Sequence, residues 1–343
     1  MTKIDYKHGF PLFTRASNII NITNDKTIIS DIWSFWDYLI KKRNKDKAFL
    51  FSLLQQAKNF YEVAEKSEMK SKPLLYYYSF LNFSKIVIHL EQNGTVSQSY
   101  NHGVGEKNNG NFHHSEIDIF MSGATRRGNN KSVSYELMSI LGDDISTFSS
   151  TNNKLTLNLK KLFSHCVGVH RAYSQIYNEK EHFFKLKNEK IFKDGLKMFF
   201  EASVQCTNTE KANLINLGYD INQDNVVRWE ITRQNHNVTI KDYYDLSQKI
   251  RLSGVWYYIG NNGYTLYLSS NSNYRYSPEM IIYNMMFYLG SITRYHPYLF
   301  DKIFSDKEQW LMSEFLTTQP KQYLYLTTAK FLGQDVMKAY TSF

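Results

Sequence analysis

One segment of the chain is almost entirely apolar except for a thin line of polar residues. Residues 72–92 combine aromatic and aliphatic side chains with helical spacing. At about 100° per residue, Ser79, Asn82, Lys85 and His89 fall within one third of the helix circumference. Such a line is informative because a buried polar group without a hydrogen bond costs about 1–3 kcal/mol.

A second apolar helix with a similar line is predicted at 276–297. Its polar residues are Asn284, Ser291 and Arg294, together with Tyr288. If the two lines faced each other, they would enclose a polar cleft for an anion such as a phosphate or a carboxylate. The candidate ligand-binding residues are therefore Asn82, Lys85, Asn284, Ser291 and Arg294. In the alternative interpretation, the asparagines are satisfied within a helical core and the two cations reach solvent.

The remaining pattern predicts an α+β protein that is predominantly helical. Helical spacing extends over residues 1–180, interrupted by a flexible Asn/Gly-rich loop at 93–114. The period changes to two within 181–275, which predicts an antiparallel sheet from about 182 to 270. Residues 276–343 are again helical, and we expect them to pack back on the first helices as one bundle with the sheet inserted.

Several local signals predict where elements begin and turn. Ser71 is expected to cap the first apolar helix, and Asn262-Gly263 is the strongest hairpin signal. A capping box of Ser305 and Glu308 is expected ahead of a C-terminal helix, and Pro320 is expected to open the last one.

The chain of 343 residues has a net charge of +9, and most of this excess lies in one stretch. Residues 154–193 contain nine basic and three acidic residues. A phosphate backbone would be attracted to such a surface, with strong salt dependence. The candidate nucleic-acid-binding residues are Lys160, Lys161, Arg171, Lys185, Lys187 and Lys190. A solvated lysine-rich surface without a partner is the alternative.

Catalytic and metal-binding patterns are weak. The approximations to a metal-dependent nuclease site are Asp220 with Glu230 and Arg233, or Glu116 with Asp118, and neither has the expected arrangement. His102, His113 and His114 are more economically explained as loop residues than as metal ligands. We therefore expect no cofactor and no metal, and enzymatic activity stays undecided, with the balance against it.

Cysteine usage and hydropathy bear on the compartment. Cys166 and Cys206 are the only cysteines, which favours a reduced, cytoplasmic protein. Charged or strongly polar residues interrupt the most apolar runs, so no membrane span is expected.

Two blocks of sequence resemble the signature of the YaaC-like family. They are PLLYYYSFLNFSK at 73–85 and LGSITRYHP at 289–297, with His102-Gly103 and Trp310 in the expected order. The resemblance spans about residues 30–335 and implies a bacterial cytoplasmic protein without an established activity or catalytic residues. It places Asn82, Lys85 and Arg294 within the shared blocks.

Three functional hypotheses follow. The first is a non-catalytic binding or assembly subunit that contacts nucleic acid or nucleotides through its basic surface, with a role in bacterial defence as one setting. The second is a phosphodiesterase or nucleotide-processing enzyme with an anion site at Asn82, Lys85 and Arg294. The third is a structural protein whose aromatic surface forms an oligomer with a protein partner or with a second copy.

Overall fold

A computed structural model describes residues 1–4, 12, 27–43, 45–92, 100–125, 128–148, 153–257, 263–269 and 276–339. Within them the chain is an α+β protein with more helix than strand and several small sheets, nearly all antiparallel, which confirms the predicted class. The helices are α1 Ile32–Lys41, α2 Lys47–Lys66, α3 Lys72–Glu91, α4 Val133–Leu141, α5 Leu159–Ser164, α6 His170–Tyr177, α7 Asn208–Asn216, α8 Ile240–Leu252, α9 Pro278–Tyr295, α10 Pro297–Ser305 and α11 Gln309–Leu332.

The strands are β1 Thr2–Ile4, β2 Thr27–Ile28, β3 Val104–Lys107, β4 Glu116–Phe120, β5 Ser122–Thr125, β6 Gly128–Lys131, β7 Lys154–Asn158, β8 His182–Lys185, β9 Lys187–Asp194, β10 Lys197–Ser203, β11 Asp220–Ile221, β12 Val226–Thr232, β13 Val255–Trp256, β14 Thr265–Leu268 and β15 Val336–Met337. The chain divides into two compact units. The first unit comprises Met1–Ser30, Glu181–Arg275 and Tyr325–Phe343, and the second comprises Asp31–Lys180 and Tyr276–Leu324.

The first unit contains most of the strands. A five-stranded antiparallel sheet has the order β1-β9-β10-β12-β11, and a three-stranded sheet has the order β13-β14-β8. The prediction of a single sheet over 182–270 is therefore wrong, because the strands pair in two separate sets. Strands β13 and β14 pair antiparallel, as the hairpin signal predicted, although Asn262 itself lies outside the described residues.

The second unit is mainly helical, and α3 lies at its centre. Helix α3 packs on both α2 and α9. Aromatic rings fill the contacts of α3 with α9 and α11: Tyr77 meets Phe287 edge to face at 5.3 Å, and Phe80 stacks on Tyr323 at 4.1 Å. A small sheet of order β3-β4-β7 completes this unit together with the hairpin β5-β6. Strand β3 lies within the loop predicted at 93–114, so that loop is shorter than predicted, and 93–99 fall outside the described residues.

The start of α9 is fixed by a buried carboxylate. Ser277 caps the helix, since its side chain accepts a hydrogen bond from the backbone N–H of Met280 at 3.3 Å. Asp143 in turn accepts bonds from the backbone N–H and the hydroxyl of Ser277 at 2.5 and 2.7 Å. The buried polar groups at this helix end therefore satisfy one another.

Helix α3 begins directly after Ser71, as predicted, although Ser71 makes no capping hydrogen bond with its side chain. Two other predicted helix starts are wrong. Ser305 is the last residue of α10, and its hydroxyl bonds back to Asp301 and Lys302, so it forms no capping box with Glu308. Pro320 lies inside α11 instead of opening a helix. Most residues at 311–316 and all residues at 322–330 are buried, and this packing offsets the roughly 3 kcal/mol that an interior proline costs.

None of the helices in the described part of the chain combines the length and the apolar character needed to cross a lipid bilayer.

The close approach of α9 to α3 predicts a large effect of substituting Gly290. A Cβ atom built there lies 3.2 Å from Tyr77 Cβ and 3.3 Å from the Pro73 carbonyl oxygen. We expect Gly290→Val to lower the free energy of unfolding by about 1–3 kcal/mol through overpacking. Urea denaturation measures this change. Thr317→Val at an exposed position of α11 is the control, expected to change stability by less than about 0.5 kcal/mol, and equal effects of both variants would contradict the packing argument.

Candidate functional site

The polar line of α3 mostly serves to join α3 to α2. The Ser79 hydroxyl donates to the Ala57 carbonyl at 2.7 Å. The Asn82 side-chain amide donates to the Gln56 side-chain oxygen at 3.2 Å. Farther along the helix, His89 Nε2 lies 3.1 Å from an Asp46 carboxylate oxygen. Ser79, Asn82 and His89 Nε2 are therefore satisfied across one helix interface, whereas His89 Nδ1 is buried without a partner among the described residues.

Lys85 is the exception in this line. Its side chain is half-buried, and no ion pair or hydrogen bond joins its ammonium group to any residue within the described ranges. Burial lowers the pKa of Lys85 because desolvation disfavours the charged form. Its stem can pack along apolar surface, but none of the described residues supplies a counter-ion that would offset the partial desolvation of the charged group.

Arg294 approaches α3 at a different level. Its Nη1 donates to the Tyr78 hydroxyl at 3.1 Å, and Tyr78 stacks on Phe60 of α2 at 5.4 Å. Tyr78, Asn82 and Lys85 have the spacing i, i+4, i+7 and so share one face of α3. At 1.5 Å per residue, the levels of Tyr78 and Lys85 are separated by about 10 Å along the helix axis.

His102 is the neighbour of Lys85 from outside the helices. Its ring lies 5.8 Å from the Phe287 ring and 6.4 Å from the Tyr77 ring. Burial lowers the pKa of His102, the positive charge of Lys85 lowers it further, and Glu106 opposes both. We call Tyr78, Asn82, Lys85, His102 and Arg294 the Lys85 site. All five belong to the second unit.

Two of the predicted ligand-binding residues are placed differently. Asn284 is fully buried, with its side-chain oxygen accepting from the Ser134 hydroxyl at 3.0 Å and its amide donating to the Met280 carbonyl at 2.9 Å. Both ends of this side chain are thus used inside the core, as the alternative interpretation of the sequence described. Ser291 is also buried in α9.

The predicted nucleic-acid-binding residues are divided between the two units. In the second unit, Lys160 pairs with Glu179 at 3.5 Å, while Lys161 and Arg171 are exposed. In the first unit, Lys185 and Lys187 are exposed at the junction of β8 and β9.

Lys190 differs from its neighbours in the first unit. It lies opposite Glu201 across the β9–β10 pair, and Glu201 also binds Arg228 at 2.6 Å. The negative charge of Glu201 therefore reduces the positive potential around Lys190.

Two of the residues considered for a metal site, Asp118 and Arg233, have other roles. Asp118 binds the Lys107 and Lys154 ammonium groups at 3.2 and 3.0 Å. Arg233 is buried and donates to main-chain carbonyls, including that of His236 at 2.8 Å. Across the residues that the structure describes, no group of three or more His, Cys, Asp or Glu side chains has metal-binding geometry.

The family comparison agrees with the two signature blocks. The model of the YaaC-like Protein family matches residues 21–331, a range that includes α3, α9 and every residue of the Lys85 site. No curated protein and no solved structure matches the chain. The chemical patterns in the sequence did not predict His102 as a ligand-binding residue. Its position in the signature of the YaaC-like family is the signal that could have indicated this role.

The electrostatics of the Lys85 site predict opposite shifts in two variants. We expect Lys85→Met to raise the pKa of His102 towards its ordinary value, and Glu106→Gln to lower it further. Titration of the histidine ring resonances by NMR measures both changes. If neither variant moved the His102 titration, Lys85 would not act on this ring.

The same coupling has a consequence for stability. Because the pKa of His102 is lowered, the folded state favours the neutral ring more than the unfolded state does. The contribution of His102 to the free energy of unfolding is therefore fully present above the ordinary histidine pKa of about 6.5, and it is lost as the pH falls towards the lowered pKa. Lys85→Met is expected to make the loss smaller.

Proposed function

Because the chain belongs to the YaaC-like protein family, and this membership does not indicate an activity, we propose a function from the chain's own residues. The protein binds a phosphate-bearing ligand at the Lys85 site. The observation that carries this proposal is the half-buried Lys85 ammonium group without a counter-ion among the described residues. A ligand phosphate would supply the missing negative charge.

The other groups of the site support an anionic ligand over a cationic one. Arg294 adds a second positive charge at the level of Tyr78, and a guanidinium group matches phosphate geometry. The carboxylate of Glu106 acts on His102, and its side chain lies 4.0 Å from His296 Nε2.

The separation of the two cations favours an extended ligand. The levels of Tyr78 and Lys85 on α3 are about 10 Å apart, which exceeds the size of one phosphate group. A nucleoside diphosphate or triphosphate can use both cations, whereas inorganic phosphate can use only one at a time. We therefore propose a nucleotide as the ligand class.

This proposal predicts nucleotide binding that depends on Lys85. We expect ATP to bind the wild-type protein more tightly than inorganic phosphate does, and Lys85→Met to weaken ATP binding at least about tenfold, or about 1.4 kcal/mol. Isothermal titration calorimetry measures both affinities. Lys66→Met, at the exposed end of α2, is the matched control and should bind ATP like the wild type.

Stability separates this proposal from a structural role of Lys85. Removing a half-buried charge without a counter-ion should leave the free energy of unfolding unchanged or raise it, while ATP binding is lost. If Lys85→Met were destabilised by several kcal/mol, or if it bound ATP with wild-type affinity, the proposal would fail.

Nucleic-acid binding is a second candidate, supported by a different observation. Lys185 and Lys187 are exposed close together in sequence, and neither forms an ion pair with a residue in the described part of the first unit. Exposed lysines of this kind contact phosphates without base specificity. The cations around Lys190 contribute less because Glu201 lies among them.

The second candidate predicts a change in salt dependence. We expect Lys185→Glu with Lys187→Glu to weaken binding of single-stranded RNA or DNA, and to reduce the slope of log affinity against log salt by about 2. Fluorescence anisotropy over a salt series measures the slope. Lys41→Glu with Lys42→Glu gives the same change in net charge on α1 and its C-cap, and an equal effect of this control pair would argue against a local binding surface.

A further inference from the structure

A pocket with a cavity volume of about 40 Å³ lies in the second unit and shares no residue with the Lys85 site. It is bounded by the segment ahead of β4, by α10 and by the start of α11. Its apolar wall includes Phe112, Leu299 and Ile303. Its polar groups come from His113, Lys302, Asp306 and Glu308. A cavity of this volume holds about three water molecules, so it suits a small apolar side chain, with the exposed Lys302 and Asp306 at its open side.

His113 is held in place by a buried carboxylate. Its Nε2 lies 3.1 Å from Glu308 Oε1, and only 5% of the Glu308 side chain is exposed. The Tyr177 hydroxyl donates to the same carboxylate oxygen at 3.2 Å, and the Tyr177 ring packs edge to face on the imidazole at 5.2 Å. The Asn158 side chain also donates to the His113 carbonyl at 2.9 Å.

These contacts assign roles to the two imidazole nitrogens. Because Nε2 donates its hydrogen to Glu308, Nδ1 of the neutral ring is an acceptor. Nδ1 has no hydrogen-bond partner in the residues that the structure covers. Burial lowers the pKa of His113, as do Lys307, Lys160 and His114, against the opposing effect of Glu308. This shift favours the neutral ring near pH 7.

Two opposite charges line the same pocket without pairing. Lys302 and Asp306 are four residues apart at the end of α10, a spacing at which such side chains can form an ion pair. In the structure neither forms an ion pair with the other or with another described residue. Among the described residues, the Asp306 side chain accepts one hydrogen bond, from the backbone N–H of Lys307 at 2.7 Å. Both charged groups therefore keep the capacity to bind a ligand.

We propose that this pocket binds an α-amino acid with an apolar side chain. The ligand carboxylate pairs with Lys302, and its ammonium group donates to Asp306 and to His113 Nδ1. Its side chain lies against Phe112, Leu299 and Ile303. A zwitterion matches a pocket that presents one cation and one anion, whereas a simple anion would face Asp306 and a simple cation would face Lys302.

Three related probes test the two charged contacts separately. L-leucine carries both charges, N-acetyl-L-leucine lacks the ammonium group, and L-leucinamide lacks the carboxylate. We expect L-leucine to bind the full-length wild-type protein at least about tenfold more tightly than either derivative, measured by isothermal titration calorimetry.

Two exposed residues provide variants that keep the fold. Lys302→Met should lower the affinity for L-leucine to that of L-leucinamide and leave L-leucinamide binding unchanged. Asp306→Asn should weaken L-leucine more than N-acetyl-L-leucine. Lys66→Met is the control for removal of an exposed lysine, and thermal melting followed by circular dichroism checks that each variant is folded.

The proposal is overturned by any of three results. One is no measurable binding of L-leucine to the wild-type protein at millimolar concentration. Another is equal affinity for L-leucine and both derivatives, which would show that the charges are not recognised. The third is wild-type affinity for L-leucine in folded Lys302→Met, which would place the binding elsewhere.

Discussion

The second unit depends on the requirement that each buried polar group of α3 has a partner. Helix α3 packs on α2 and α9, so nearly all of its circumference is buried. Ser79 and Asn82 meet this requirement through hydrogen bonds to α2, and His89 meets it at Nε2 through Asp46, the residue before α2. A partner lost from this set would leave a donor or acceptor without compensation, at about 1–3 kcal/mol each. The same requirement makes Lys85 conspicuous, because its charge is not compensated by the residues described.

The two candidate ligand sites differ in their charge balance. At the Lys85 site, the groups near α3 are mainly donors and cations, which suits an anion such as a nucleotide phosphate. The pocket beside His113 presents Lys302 and Asp306 together, which suits a zwitterion. A carboxylate that is already paired, such as Glu308 with His113 and Tyr177, orients a neighbouring group instead of binding a ligand. Net charge alone would not distinguish these sites.

Local chemistry decides how far a charged residue can contribute to a surface. The basic residues of 154–193 are adjacent in sequence, yet Lys154 binds Asp118 and Lys160 binds Glu179. Lys185 and Lys187 form no such pairs in the described part of the chain. Counting charges along a segment overstates the positive potential wherever acidic residues from other elements approach it.

Sequence alone determined the helices whose apolar spacing is long and regular, namely α1 to α4 and α9, because helical periodicity is a local property of the chain. It also determined the family, since the two blocks carried by α3 and α9 are distinctive as a pair. Tertiary structure decided which polar residues are satisfied: Asn284 bonds Ser134, 150 residues away, while Lys85 has no such partner within the described residues. It also decided how the strands of 182–268 divide between two sheets and that α11 continues through Pro320. Hydrogen-bond partners distant in sequence and the burial that offsets a proline are not encoded in any local pattern, so only the folded chain fixes them.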